Sequence, residues 1–191
     1  MMRIKKYMIP LTIVVFTTVA LCGDTKEEIP AKELRDLPKV KIKTLKGKNI
    51  LTYKIIEEKL TFISFWATWC VPCLKKMKKL DIMHHKYSEN NFQVLGINVD
   101  DSKTSKKITS ILNSKNITFP VYLDTEQKFL RKFNSEALPF SILVSPDNEI
   151  LWEHTGYIPG DEKEIEAIIV DALELTSDSS EDSTSVVKPE Q

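Results

Sequence analysis

The chain has 191 residues, 27 basic and 27 acidic side chains, and only three cysteines and three histidines. Balanced charge supplies no basic excess for a nucleic-acid partner, and the length between its two unusual ends suits one domain. The cysteine count also argues against structural zinc: Cys70 and Cys73 form one CxxC, but Cys22, His84, His85 and His154 provide no second pair at ligand spacing.

The N-terminus reads as an export signal, residues 1–22. Arg3, Lys5 and Lys6 form a positive start, Met8 to Leu21 is free of charge, and polar residues begin abruptly after Cys22. The apolar stretch is shorter than the about 20 residues of a comfortable membrane span and fits a signal-peptide core. Val19-Ala20-Leu21-Cys22-Gly23 resembles a bacterial lipobox, which makes Cys22 a candidate lipidation site, although Leu21 is bulkier than the small residue usual before the cysteine. An uncleaved anchor or an ordinary cleaved signal stays open beside lipidation. All three readings place the rest of the chain on the extracytoplasmic, periplasm-facing side of a bacterial membrane, where thiols work in an oxidising environment. Residues 23–37 are expected to form a polar tether, residues 38–175 the domain, and residues 176–191 a disordered Ser- and acid-rich tail.

Within the domain, Lys39 to Lys46 alternates apolar and polar residues, meets Gly47-Lys48 and continues as Asn49-Ile50-Leu51-Thr52, an edge-hairpin pattern. Leu60 to Trp66 is nearly continuous apolar, as in a strand buried on both faces. The sequence Trp69-Cys70-Val71-Pro72-Cys73 follows, and from Cys73 the residues Met77, Leu80, His84 and Tyr87 recur at helical intervals. The first turn of a helix lets two thiols three positions apart approach bonding distance. Its free N–H groups and positive dipole end stabilise a thiolate, the attacking species. The spacing therefore points to a redox dithiol, with a degenerate relic as the alternative.

Phe92 to Val99 predicts a second buried strand, and Asp100, Asp101 and Ser102 are expected to cap a helix with core residues Ile108, Ile111 and Leu112. A short helix is expected near Gln127 to Phe133. Phe140 to Val144 and Ile150 to His154 flank the turn Ser145-Pro146-Asp147-Asn148. Glu162 to Leu175 closes the domain as a helix with Ile165, Ile168, Ile169, Ala172 and Leu173 on one side. The plan is α/β with a mixed sheet.

This order resembles the thioredoxin fold, and more closely the TlpA/ResA-like extracytoplasmic thiol–disulfide oxidoreductases. The resemblance runs from about Lys39 to Ala172. It is carried by Phe65 to Cys73, Val94 to Asp100, Ile117 to Asp124, Ala137-Leu138-Pro139, and Asn148-Glu149-Ile150 leading to Thr155-Gly156. It implies a thioredoxin-like mixed central sheet flanked by helices, with an added N-terminal β-hairpin. It further implies Cys70 as the exposed attacking thiol, Cys73 as the buried resolving thiol, and Pro139 as a cis-proline presenting backbone to substrate. Trp69, Val71, Pro72 and Leu138 would line the substrate-binding surface. Protein thiols and disulfides would be the substrates, a transmembrane electron donor or acceptor the redox partner, and cytochrome maturation or disulfide homeostasis the setting. A monomer is expected, with no metal and no cofactor beyond the redox-active disulfide Cys70–Cys73.

Departures from the family accompany the match. Lys76 stands where relatives carry an acid after CxxC, Lys78 where they carry a proline, Ser64 where thioredoxins bury an aspartate, and Phe140-Ser141 where the family has TT or TS. Two usual proton acceptors for Cys73 are thus missing. The cluster Lys75, Lys76, Lys78 and Lys79 is either a solvated helix face or a source of positive charge that favours reduced thiolates. The second reading predicts a potential above the roughly −270 mV of thioredoxin. Three alternatives to the oxidoreductase remain at this point: a non-catalytic lipoprotein binding module, a thiol peroxidase, and a copper-delivery protein using the dithiol with His154.

Overall fold

The structure, a computed structural model, describes residues 35–103 and 107–181, with side chains through Glu174. The signal, Cys22, most of the tether and residues 182–191 lie outside the described residues. Two apolar runs set the architecture. Strand β4 (Leu60–Trp66) and strand β5 (Phe92–Asn98) are buried at every position and pair in parallel, from Leu60 opposite Phe92 to Trp66 opposite Asn98. Side chains facing both ways into apolar layers are what such continuous runs require.

Around them the described residues form one sheet of eight strands. Strand β6 (Val121–Leu123) extends it in parallel beside β5, and the N-terminal hairpin of β2 (Lys41–Thr44) and β3 (Asn49–Leu51) lies antiparallel beyond β6. On the other side β7 (Phe140–Val144) runs antiparallel to β4, followed by β8 (Glu149–Thr155) and the two-residue β1 (Arg35–Asp36). The thioredoxin-like mixed sheet and its added hairpin are therefore present. Helix α1 (Val71–Lys86) packs on β4 and β5 and against α3 (Asp161–Glu181), while α2 (Ile108–Lys115) lies between β5 and β6 in the chain.

Alternation along β4 divides the core. Phe65 meets the rings of Phe129, Phe133 and Phe140 at centroid distances of 5.1–5.8 Å. Phe62, pointing the other way, meets Trp152 at 5.9 Å. A fully buried ring such as Phe62, Phe65 or Phe129 stabilises the fold by about 1.5–3 kcal/mol. The C-terminal end of β4 is paired on both sides, by β5 and β7, and the thiols sit just beyond that end.

Four local expectations change. The sheet begins at Arg35, inside the stretch read as tether, because Leu37 is buried and its N–H bonds Asn148 O at 2.8 Å. Helix α3 continues through Glu181 into the stretch expected to be disordered, since extending a nucleated helix costs far less than starting one. The segment near Gln127 is a 3₁₀ turn at Leu130–Phe133, closed by Asn134 in the left-handed region. Finally, α2 begins at Ile108 and its N-cap position, Lys107, carries no side-chain capping bond, while Asp100 accepts from Thr68 and Asn98 instead.

Candidate active site

Beyond Trp66 the chain leaves the sheet through Ala67-Thr68-Trp69 and enters α1 at Cys70. Asp100 holds this passage. Its Oδ2 accepts from Thr68 N and from Asn98 Nδ2, each at 2.9 Å, while Asn98 Oδ1 accepts from Asp100 N at 3.1 Å. Val99 N bonds Trp66 O, and Cys70 N bonds Ala67 O to close the turn. Asp100 and Asn98 are both buried. The acid expected to cap α2 thus clamps the loop that delivers the thiols.

Cys70 is the N-cap of α1, and its Sγ accepts from Cys73 N at 3.3 Å. Pro72 sits in the first turn, where its missing N–H leaves no intrahelical bond unmade. Cys70 and Cys73 are joined as a disulfide, with Cα atoms 5.3 Å apart. Cys70, expected to be exposed, is only 4% exposed, and Cys73 is 1% exposed. The Cys70 sulfur turns back over the first helical turn, so the surface there is carried by its neighbours: Trp69 is 68% exposed and Val71 62%. The N–H contact reaching Cys70 Sγ is the kind that stabilises a thiolate once the disulfide opens.

The Leu138-Pro139 peptide bond is cis. Phe140 pairs with Phe65, so Pro139 lies at the same end of the sheet as the CxxC loop. Its carbonyl accepts from Gly156 N at 2.7 Å. Trp69, Cys70, Val71, Pro72, Cys73, Leu138 and Pro139 therefore converge on one end of the sheet. His84 and His85 lie away from that end, whereas His154 pairs with Ser141 beside Phe140 and so lies near it. His84 Nδ1 accepts from Val94 N at 3.2 Å, His85 contacts Thr118, and His154 stacks on Trp152 with centroids 5.5 Å apart.

The lysine cluster splits. Lys75, Lys78 and Lys79 are exposed, as a solvated face would be, but Lys76 is 1% exposed. Lys76 Nζ donates to Ser141 Oγ at 2.6 Å and lies 5.4 Å from the centre of the Phe62 ring and 6.0 Å from that of Tyr157. Among the described residues no carboxylate forms an ion pair with it. Burial lowers its pKa to about 8, partly opposed by the charge of Asp161. Ser141 pairs with Ser64 across β4 and β7 and with His154 across β7 and β8, so all three side chains share the face that meets Lys76. Lys76 was singled out in the sequence as standing at the acid's position, but its burial was not read there. Its position was the available signal, since 76 falls on the inward stripe with Cys73, Met77, Leu80 and Met83.

The sequence matches the AhpC/TSA family over residues 34–153. It is 29% identical over 132 residues to the thiol-disulfide oxidoreductase ResA of Bacillus thuringiensis, covering 68% of this chain and 69% of the relative. Against ResA of Bacillus subtilis it is 28% identical over 131 residues, covering 69% and 70%. The fold is similar to a thiol:disulfide interchange protein DsbE from Chlorobium tepidum, with TM-score 0.67 and 24% identity over 73% of this chain and 96% of that one. It is also similar to a thioredoxin-like protein from Porphyromonas gingivalis, with TM-score 0.64 and 26% identity over 72% and 92%.

Proposed function

The chain belongs to the AhpC/TSA family, and we propose that it is a thiol–disulfide oxidoreductase acting on protein disulfides outside the cytoplasmic membrane, where its N-terminal segment tethers it. The observation that carries this reading is the Cys70–Cys73 disulfide at the N-terminus of α1, with cis-Pro139 at the same end of the sheet. A reduced Cys70 attacks a substrate disulfide and forms a mixed disulfide; Cys73 then attacks Cys70, restoring the intramolecular bond and releasing a reduced partner. Trp69 and Val71, apolar and exposed beside the sulfurs, are suited to contact the incoming chain, together with Pro72, Leu138 and Pro139. A membrane-embedded electron donor resets the dithiol, and apocytochromes are among the clients this chemistry would serve.

The tether rests on sequence alone: a positive start, an uncharged stretch from Met8 to Leu21, and Cys22 as lipid attachment point. Among the described residues no helix is long and apolar enough to cross a membrane. The peroxidase alternative is less well supported, because Cys70 has a bonded partner one helical turn away.

Insulin-reduction turnover of the full chain beside Cys70→Ser tests the activity. Turnover by the wild type and background by the variant is expected; equal background rates would remove the oxidoreductase reading. Cys73→Ala should accumulate mixed disulfides through Cys70 and so identify the clients.

A further inference from the structure

Resolution of the mixed disulfide requires Cys73 as a thiolate, yet Cys73 is almost wholly buried, and burial in apolar surroundings disfavours thiolates. The face beneath it holds Phe62, Ser64, Ser141, Trp152 and His154, and among the described residues no carboxylate forms a hydrogen bond or ion pair with Lys76. Lys76 is the ionisable side chain buried on that face of α1, one turn beyond Cys73. Residues three apart on a helix are neighbours, and long helical side chains lean over the turn N-terminal to their own Cα. For Lys76 that is the turn of Cys73. A buried amine without a carboxylate partner is costly to keep charged, so it is poised to exchange a proton.

We propose that Lys76 is the positioning and proton-accepting residue for the resolving thiol, taking the place of an acid. This rests on the exchange chemistry proposed above. In the mixed disulfide, with Lys76 in its neutral amine form, the Cys73 proton passes to Nζ, and the resulting ammonium keeps its hydrogen bond to Ser141 Oγ. The Cys73 thiolate attacks Cys70 Sγ, forming the Cys70–Cys73 bond and breaking the bond from Cys70 to the substrate sulfur. That sulfur leaves with the electron pair and takes up a proton, so the net proton moves from Cys73 to the product thiol. Cys73 is oxidised, and the substrate sulfur is reduced.

Other groups bear on this proton. Asp161 at the start of α3 favours the ammonium form. Tyr157, held by Glu162 and pushed up to about 12 by burial, lies beside Lys76 and stays neutral through the working range. His154 shares the face through its pairing with Ser141, and Glu162 binds the exposed Lys79.

Reaction of the reduced full chain with the aromatic disulfide 5,5′-dithiobis(2-nitrobenzoate) separates the steps. The first thionitrobenzoate release, bimolecular, reports attack by Cys70, and the second, unimolecular, reports resolution by Cys73. Lys76→Met is expected to leave the first release near wild type and slow the second by about tenfold or more. It should also raise the pH midpoint of the second release by about one unit. Ser141→Ala removes the acceptor that holds the ammonium and should move that midpoint the same way by less, which carries the test if Lys76→Met does not fold. Lys75→Met, at an exposed neighbour, should change neither phase. Equal slowing of both releases, or an unmoved midpoint in the folded variants, overturns the assignment to Lys76. Absence of the first release in the wild type overturns the exchange reading itself, and this inference with it.

Discussion

Lys76 Nζ and Ser141 Oγ meet at 2.6 Å in the interior of the domain, joining α1 to β7 beneath the disulfide. A hydrogen bond to an ionised group contributes about 1.5–3 kcal/mol. The desolvation of a buried ammonium opposes it, and the lowered pKa of Lys76 shows that desolvation is the larger effect. The lysine is therefore held in place at a cost to stability.

Stability should depend on pH accordingly. The unfolded chain keeps the lysine proton up to about pH 10.5, whereas the folded protein releases it near about 8. Between these values the unfolded state binds more protons, so stability rises with pH across the window and is lost as pH falls through the lower value. Lys76→Met, which replaces the buried charge by an apolar chain, should be more stable than wild type at pH 7 by about 1–3 kcal/mol. That advantage should shrink as pH rises through the window. Urea unfolding of the oxidised proteins at both ends of the window measures it; a variant less stable than wild type at pH 7 would contradict the expectation.

The same charge bears on the redox couple. An ammonium facing a thiolate favours the reduced form, so Lys76→Met should make the couple more reducing. Each tenfold loss in the equilibrium constant corresponds to about 30 mV. The exposed Lys75, Lys78 and Lys79 are screened by solvent and should contribute little. Equilibration with glutathione buffers at pH 7 reads the potential of each variant. A larger shift from Lys75→Met than from Lys76→Met would place the electrostatic control on the surface instead.

Asp100 is expected to govern the delivery of Cys70. Its Oδ2 holds the N–H of half-buried Thr68 and the Nδ2 of buried Asn98. Asp100→Ala leaves those two donors without acceptors, at about 1–3 kcal/mol for a buried group so stranded. The variant should unfold at lower urea and exchange the Thr68 amide faster, as followed by hydrogen exchange. Unchanged protection at Thr68 would show that the loop does not depend on this carboxylate.

Much of the scaffold was legible in the chain. The two continuous apolar runs became β4 and β5 at nearly the expected bounds, and the alternating Lys39 segment became the hairpin beside β6. These patterns are local, and burial on both faces of a strand leaves a mark at every position. Strand β6 was not read as a separate element, because three residues are too few to show a period. Asp100 was read as a cap because a polar residue after a strand commonly is one. Its actual partners, Thr68 and Asn98, come from the loop and strand it folds back on.

The sequence by itself determined the chemistry: two thiols at CxxC spacing where an apolar strand turns into a helix can form and break a disulfide whatever surrounds them. Tertiary structure alone decided which side chains share their surroundings. Among four neighbouring lysines of similar character, only Lys76 faces the sheet, where Ser141 from a strand 65 residues away receives it. Helical period can say that a residue lies on the inward stripe. Whether a charge can stay there depends on a partner from a distant segment, and such a pairing leaves no pattern in the local sequence.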